Sequence, residues 1–346
     1  MYGKAFAPEY RGALGELSVN SSIEEVLRTA TEQLREAEAA GSDLESAHAG
    51  LAAAEAARRL GRIEEADRAW RASYRAARRA GDEGAMAWAV WSGGTLARQR
   101  GRLALARRLL ALAADLAERG GDVVARGYSL AGLAETGRIQ GDYAAVADLH
   151  EKLLAEARRR GEARHTVWAL EGIAQMHRNT GAHDKALEMF EEAASIALAA
   201  DDTRGHAWAL RGIADVLSLR GQTRRALELL SQAEAGCRRM RLAGALAYNH
   251  KMRGNVLFRA GRYEEARAVY EEALAEFREM AEPRGTALAT LGLVKSRARL
   301  GEDPARTAAA LDALEQSLEG TGLRHVREMV ATARAELDPA TAGARR

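Results

Sequence analysis

Apolar and small positions in the stretch from Gly254 to Ala273, GNVLFRAGRYEEARAVYEEA, fall at helical spacing on both sides of a glycine. Ala266, Tyr270 and Ala273 recur at intervals of four and three, along one face of a helix. Gly261 interrupts the preceding helix, and Gly254 is a small position where another helix can approach. The pattern predicts helix, tight turn, helix. It also repeats. Steps of forty residues from Gly261 reach Gly221, Gly181, Gly141, Gly101 and Gly61, and one step forward reaches Gly301. Five residues after these glycines stand Ala66, Ala106, Val146, Ala186, Ala226, Ala266 and Arg306. Twelve after them stand Ser73, Ala113, Leu153, Ala193, Ala233, Ala273 and Ala313. The small residues in these rows would let the second helix of each unit nest against the first. Half a period away, the other turns carry Gly81, Gly121, Gly161, Asp201, Arg241 and Ala281. Each unit is therefore expected to be two helices of about 18 residues, each about 27 Å long.

Taken in order, residues 1–21 fall outside the period and read as a flexible leader, or as an arm anchored by Tyr2, Phe6 and Tyr10. Ser22 and Glu25 have the form of a capping box, opening an N-terminal capping helix that runs to about Ala40. Seven repeats follow. Their first helices are expected near 43–60, 83–100, 123–140, 163–180, 203–220, 243–260 and 284–300. The second helices are expected near 63–80, 102–119, 143–160, 183–200, 223–240, 263–280 and 303–319. A C-terminal capping helix is expected from about Leu323 to Leu337, and residues 338–346 read as a frayed tail. A single repeating domain over 22–337 is the expectation, because each repeat buries its core against its neighbours.

Composition changes this picture little. The chain has 346 residues, four prolines and a hydrophobic content of 47%, which suits an all-α protein. Basic and acidic residues nearly balance, 51 against 49, so no general field draws the chain to nucleic acid or to a membrane. The runs Arg158–Arg160 and Arg238, Arg239, Arg241 lie at the ends of second helices, where basic side chains suit the helix dipole. Cys237 stands alone, so no intrachain disulfide forms. No apolar run of about 20 residues is present, and the expected location is cytoplasmic.

The repeat resembles the tetratricopeptide repeat, over roughly residues 22–337. Its period of 40 is longer than the common 34-residue form. In this it looks like the long-repeat branch found in kinesin light chains and bacterial peptide-sensing regulators. The helix-ending proline common in the family is missing, apart from Pro283 close by. The resemblance implies a right-handed α-solenoid superhelix of about seven two-helix repeats with capping helices at both ends. It also implies a scaffold that binds peptides or proteins in a concave groove lined by the first helices, with no chemistry of its own.

Four rows would line that groove. Thirteen positions before each turn glycine stand His48, Trp88, Tyr128, Trp168, Trp208, Tyr248 and Leu288. Three residues on stand Leu51, Trp91, Ala131, Glu171, Arg211, Lys251 and Leu291. Four further on stand Glu55, Thr95, Glu135, Gln175, Asp215, Asn255 and Lys295. Arg58, Arg98, Arg138, Arg178, Ser218, Phe258 and Ala298 complete the set. Spacings of three and four put all four rows on one helical face. The alternative for the aromatic row is packing, since Gly132, Gly172 and Gly212 follow their rings by four and a ring could lie over each missing side chain. For the polar rows the alternative is a solvated face laced by ion pairs such as Glu171 with Arg211.

Two functions follow. In the first, a peptide or partner protein lies along Trp88, Trp91, Tyr128, Trp168, Trp208 and Tyr248. Five aromatic rungs at roughly 8–10 Å per helix span roughly 40 Å, enough for about 12 extended residues. Gln175, Asn255 and Asp215 would hold its backbone and Arg98, Arg138 and Arg178 its acidic side chains or C-terminal carboxylate, with Arg211 and Lys251 also among the binding residues. In the second, a small molecule occupies an aromatic-lined pocket, with Glu135, Glu171 or Asp215 as acid or base. His177 and His250 read as inner structural histidines. No metal-ligand spacing, phosphate loop or nucleophile motif is present, so no cofactor or metal is expected. A homo-oligomer through exposed end helices is a further open alternative.

Overall fold

A computed structural model describes residues 23–337 of the chain, and every described element is helical. The expected leader, Ser22 of the expected capping box and the tail lie outside the described residues. The helices are α1 (Ile23–Ala39), α2 (Asp43–Arg59), α3 (Ile63–Ala80), α4 (Glu83–Gln99), α5 (Leu103–Arg119), α6 (Val123–Gln140), α7 (Tyr143–Arg160) and α8 (Ala163–Asn179). They continue as α9 (His183–Ala199), α10 (Thr203–Leu219), α11 (Thr223–Arg239), α12 (Ala243–Arg259), α13 (Tyr263–Glu279), α14 (Pro283–Arg299), α15 (Pro304–Ser317) and α16 (Arg324–Leu337). Each even-numbered helix from α2 to α14 packs on the helix that follows it, and also on the next even-numbered helix. The first helices of the repeats thus form one continuous inner wall, and the second helices cover it. This is an α-solenoid.

The turns explain the fixed period. Gly61 adopts a left-handed backbone at φ 76°, and the Arg62 N–H then returns to the Ala57 carbonyl at 2.9 Å. That closes the last turn of α2 and points the chain back along it. At the half-period, Asp201, Arg241 and Ala281 take the same left-handed conformation without being glycine, at φ 56°, 49° and 48°. The Asp202 N–H still reaches the Ala197 carbonyl at 2.8 Å. Geometry at these positions is set by the repeat and not by the residue.

The two small rows are buried as expected through the sixth repeat: Ala106, Ala186, Ala226 and Ala266 are fully covered, and the Ser73 hydroxyl donates to the Ala47 carbonyl at 2.7 Å. The seventh repeat departs. Arg306 and Ala313 are exposed, whereas Thr307 and Leu314 are buried. Here α15 starts one residue late, at Pro304, with the Asp303 carboxylate accepting the Ala305 N–H. The delay turns the buried face by one position.

A further row carries the core. Nine residues after the turn glycines come Trp70, Leu110, His150, Phe190, Leu230 and Tyr270, all buried. Each projects from a second helix onto the first helices, and glycines make room for most of them. A methyl group at Gly212 would stand 2.4 Å from a Phe190 ring carbon, and one at Gly172 would stand 2.2 Å from the His150 ring. Gly172 and Gly212 therefore receive rings from the outer layer, and Leu110 fills the corresponding space at Gly132. They do not lie beneath Trp168, Trp208 and Tyr128 of their own helices.

The solenoid completes a full turn. Leu103 and Ile139 share one apolar core with Leu323, Val326 and Val330. The Gly322 N–H approaches the Gly101 carbonyl at 3.5 Å, and Arg324 Nε donates to the Gln140 carbonyl at 3.1 Å. Arg241 also reaches Glu24 of α1 at 3.3 Å. The C-terminal helices thus dock on the second and third repeats, and the inner wall faces itself across a closed turn. No helix among the described residues is long and apolar enough to cross a membrane.

Candidate functional site

The expected aromatic row is connected by ring contacts from Trp88 to Trp168. Trp88 and Trp91 of α4 meet edge to face at 5.4 Å, and both touch Tyr128 of α6, at 5.2 and 5.3 Å. Tyr128 in turn meets His165 at 4.2 Å and Trp168 at 5.9 Å, both on α8. Trp208 on α10 carries the Arg204 guanidinium 4.5 Å from its ring centre. Tyr248 on α12 meets Phe277 at 4.8 Å and lies under Arg211 and Arg284.

The ladder divides by hydrogen bonding. Trp88 Nε1 donates to Asp122 at 2.8 Å, and the Tyr248 hydroxyl donates to Glu282 at 3.1 Å. Both acceptors lie 34 residues on, at the start of the next first helix, so these two aromatics staple neighbouring repeats. Trp91 and Tyr128 are almost fully buried. Trp168 and Trp208 stay half-buried, and neither indole N–H is used by a protein group among the described residues.

The polar rows pair with one another. Arg58 forms a two-pronged bond with Glu55 at 2.7 and 3.0 Å, and Arg138 does the same with Glu135 at 2.7 Å. Arg178 donates to Gln175 at 3.2 Å. Each of these is a three-residue step on one helix. Other contacts cross between repeats: Arg98 to Glu135 at 3.8 Å and Arg178 to Asp215 at 2.8 Å. Arg259 also binds Asp215, at 2.7 Å, and Asn255 accepts the Tyr270 hydroxyl at 2.7 Å.

These pairs set the charge states. Burial raises the Glu135 carboxyl, but Arg138 and Arg98 outweigh it and hold the group down at about 2. Asp215, with 1% of its surface exposed, is likewise kept ionised against burial by Arg178 and Arg259. Glu171 differs. Its Oε1 is buried without a partner, and burial pushes the carboxyl up to about 8 in spite of Arg211. Lys251 makes no ion pair among the described residues, and burial lowers it to about 7 against the pull of Asp215. Of the three candidate acid–base carboxylates, only Glu171 is held as a neutral acid at neutral pH.

Several groups were not expected from the sequence. His150 is buried with neither ring nitrogen partnered among the described residues, and burial lowers it to about 4. It lines a cavity of about 10 Å³ with His165 and Trp168, room for at most one water. His250, by contrast, is the inner histidine the sequence predicts, 2.9 Å from Glu276 and flanked by Glu272 and Glu234. His250, Glu272 and Glu276 are also the residues grouped closely enough to hold a metal ion among those described. Arg59 and Arg204, one residue and four residues away from predicted row positions, make no ion pair among the described residues; Arg59 Nε is buried, and Arg204 lies over Trp208. The basic runs are paired: Arg158 with Glu192, Arg160 with Glu162, Arg238 with Glu234.

Comparison with known proteins agrees with the repeat. The tetratricopeptide repeat family matches residues 165–239 and again 247–279. No curated protein matches the chain. Among solved structures, a Rap protein complexed with Competence and Sporulation Factor is similar over 96% of this chain and 100% of its own, at 12% identity and a TM-score of 0.60. The Rap conjugation gene regulator of the plasmid pLS20, in complex with the Phr* peptide, is similar over 86% of this chain and 78% of its own, at 14% identity and a TM-score of 0.63. A signal-transduction ATPase with a tetratricopeptide repeat sensor, from Pyrococcus horikoshii, matches 91% of this chain with 50% of its own, at 12% identity and a TM-score of 0.50. At such identities the likeness is one of fold.

Proposed function

We propose, on the premise that this chain is a tetratricopeptide-repeat scaffold, that its inner wall binds a peptide or an extended segment of a partner protein. The observation that carries the reading is the pair Trp168 and Trp208. They belong to an aromatic row whose other members are more deeply packed or hydrogen-bonded, yet they stay only half-buried and keep N–H donors without a partner among the described residues. A large apolar ring with a polar edge, held on a rigid helix, is what anchors a bound side chain at low entropic cost. Lys251, Arg211 and Gln175 supply polar groups at row positions of three successive first helices. One Rap structure named above was solved with the Phr* peptide and the other with Competence and Sporulation Factor, and the shared fold supports the same use here.

Native mass spectrometry of the protein purified from its own host tests the proposal. A co-purifying peptide or protein, lost in Trp168→Ala and Trp208→Ala variants that retain wild-type helix content, is the expected result. Loss of folding in those variants would assign both rings to packing.

A second reading rests on Glu171. A buried carboxyl held neutral beside Trp168 and Arg211 can donate a proton or a hydrogen bond, as a small-molecule site would require. A bound metabolite in place of a peptide, with turnover lost in Glu171→Gln, would favour that reading.

A further inference from the structure

In the sixth repeat, one imidazole is surrounded by carboxylates from two other helices. His250 projects from α12 with 3% of its side chain exposed. Its Nδ1 lies 2.9 Å from a Glu276 oxygen and 3.7 Å from a Glu272 oxygen, both on α13. One donor atom from each of the three residues lies within 4.8 Å of the others. Glu272 and Glu276 stand one turn apart on the same face of their helix, where like charges repel. The donors come from two helices, so no short sequence motif carries them.

Two features separate this group from an ordinary acidic surface. First, Glu55, Glu135 and Asp215 are each matched with arginine, whereas Glu272 and Glu276 form no ion pair with arginine or lysine among the described residues. Arg238 and Arg253 are spent instead on Glu234 of α11, at 2.9 and 3.0 Å. Second, Glu234 places an oxygen 3.7 Å from Nε2, on the other edge of the imidazole. A histidine that ligates a metal through one nitrogen commonly turns the other toward a carboxylate, which fixes the ring and raises its basicity. Glu234, held by two arginines, stands where that outer carboxylate belongs.

We infer that His250, Glu272 and Glu276 bind a divalent transition-metal ion of the zinc class. Zinc takes an imidazole nitrogen or a carboxylate oxygen at about 2.0–2.2 Å, so two ligands on a tetrahedral ion stand about 3.4 Å apart. The separations of 2.9 and 3.7 Å from Nδ1 bracket that value. Nδ1 coordinates without a proton, so the ring's hydrogen resides on Nε2, facing Glu234. The two carboxylates balance the charge of the ion, and water completes its shell on the side of Glu272, which is 54% exposed. An all-oxygen set would suit calcium or magnesium; the imidazole moves the preference to zinc. The ion ties α12 to α13, and the inference does not depend on the peptide reading.

The test uses the full chain after dialysis against a chelator, with Zn²⁺ as the probe, titrated in competition with an indicator chelator. Wild type is expected to take up one equivalent of Zn²⁺ in preference to Mg²⁺ or Ca²⁺, and to melt at a higher temperature with it. Glu272→Gln and Glu276→Gln keep the side-chain shape at partly exposed positions and should retain wild-type helix content. Each should lose at least about tenfold in Zn²⁺ affinity. Glu279→Gln, exposed on the same helix, should match wild type. Co²⁺ reports the donors directly, and the visible absorption of its wild-type complex should be lost in His250→Gln. Equal Zn²⁺ affinity in wild type, Glu272→Gln and Glu276→Gln, whether strong or weak, would overturn the site. So would saturation by Mg²⁺ as readily as by Zn²⁺, which would mark a diffuse acidic surface.

Discussion

Arg178, on the inner wall of the fourth repeat, places a guanidinium nitrogen 2.8 Å from the Asp215 carboxylate of the fifth. Arg259 of the sixth repeat binds the other carboxylate oxygen at 2.7 Å. One buried acid thus ties three successive repeats together, and its charge is held for that purpose. Asp215→Asn keeps the shape and removes the charge, leaving two guanidinia and Lys251 without their common partner. The variant should lose about 3 kcal/mol of stability, within the range for breaking a buried pair. Urea or guanidinium unfolding measures it, and an unchanged midpoint would show that the three repeats are not joined there.

His150 occupies a position filled by Trp70, Phe190 and Tyr270 in other repeats, yet it carries two buried nitrogens with no protein partner among the described residues. His150→Phe should stabilise the protein by about 1–2 kcal/mol, by removing unsatisfied polar groups from a ring-shaped space. The pH dependence gives a second readout. The folded histidine titrates near 4 and the unfolded one near 6.5. Between these values the unfolded chain binds more protons, so this group's contribution is full above 6.5 and declines as pH falls toward 4. His150→Phe should flatten that part of the stability profile, which melts between pH 4 and 7 would reveal.

The repeat and its boundaries were legible because one feature recurs without interruption. A turn glycine every forty residues, with small residues five and twelve positions later, fixes both helices of a unit. Asp201, Arg241 and Ala281 show how strong that frame is, since they accept a left-handed backbone without glycine. The shift of α15 was less visible, because a one-residue delay at Pro304 leaves the glycine period intact. The row running from Trp70 to Tyr270 had a readable signal, nine residues after each turn glycine, but its chemistry varies from indole to imidazole to leucine. At the inner wall, the face was legible and the pairing was not. Which arginine meets which carboxylate depends on the angle between repeats.

Closure itself makes a prediction. Leu103 begins α5, two residues after its turn glycine, where other repeats carry His183 and Thr223. The repeat therefore does not need an apolar side chain there, but the docked C-terminal segment does: Leu103 is 1% exposed and shares its core with Leu323. Leu103→Asp should release the C-terminal helices from the second repeat. Small-angle scattering should report a larger radius of gyration with helix content preserved. An unchanged radius would mean that Leu103 does not hold the turn closed.

Site-specific photocrosslinking in the producing cell tests the central claim most directly, because it captures whatever occupies the inner wall, whatever its identity. A benzophenone side chain placed at Trp168 looks into the closed turn, and one placed at Leu198, 67% exposed on the second-helix layer, looks outward. Capture of a peptide or protein at 168 and not at 198 is the predicted result. Capture at 198 alone would place the partner on the outer surface and contradict the account.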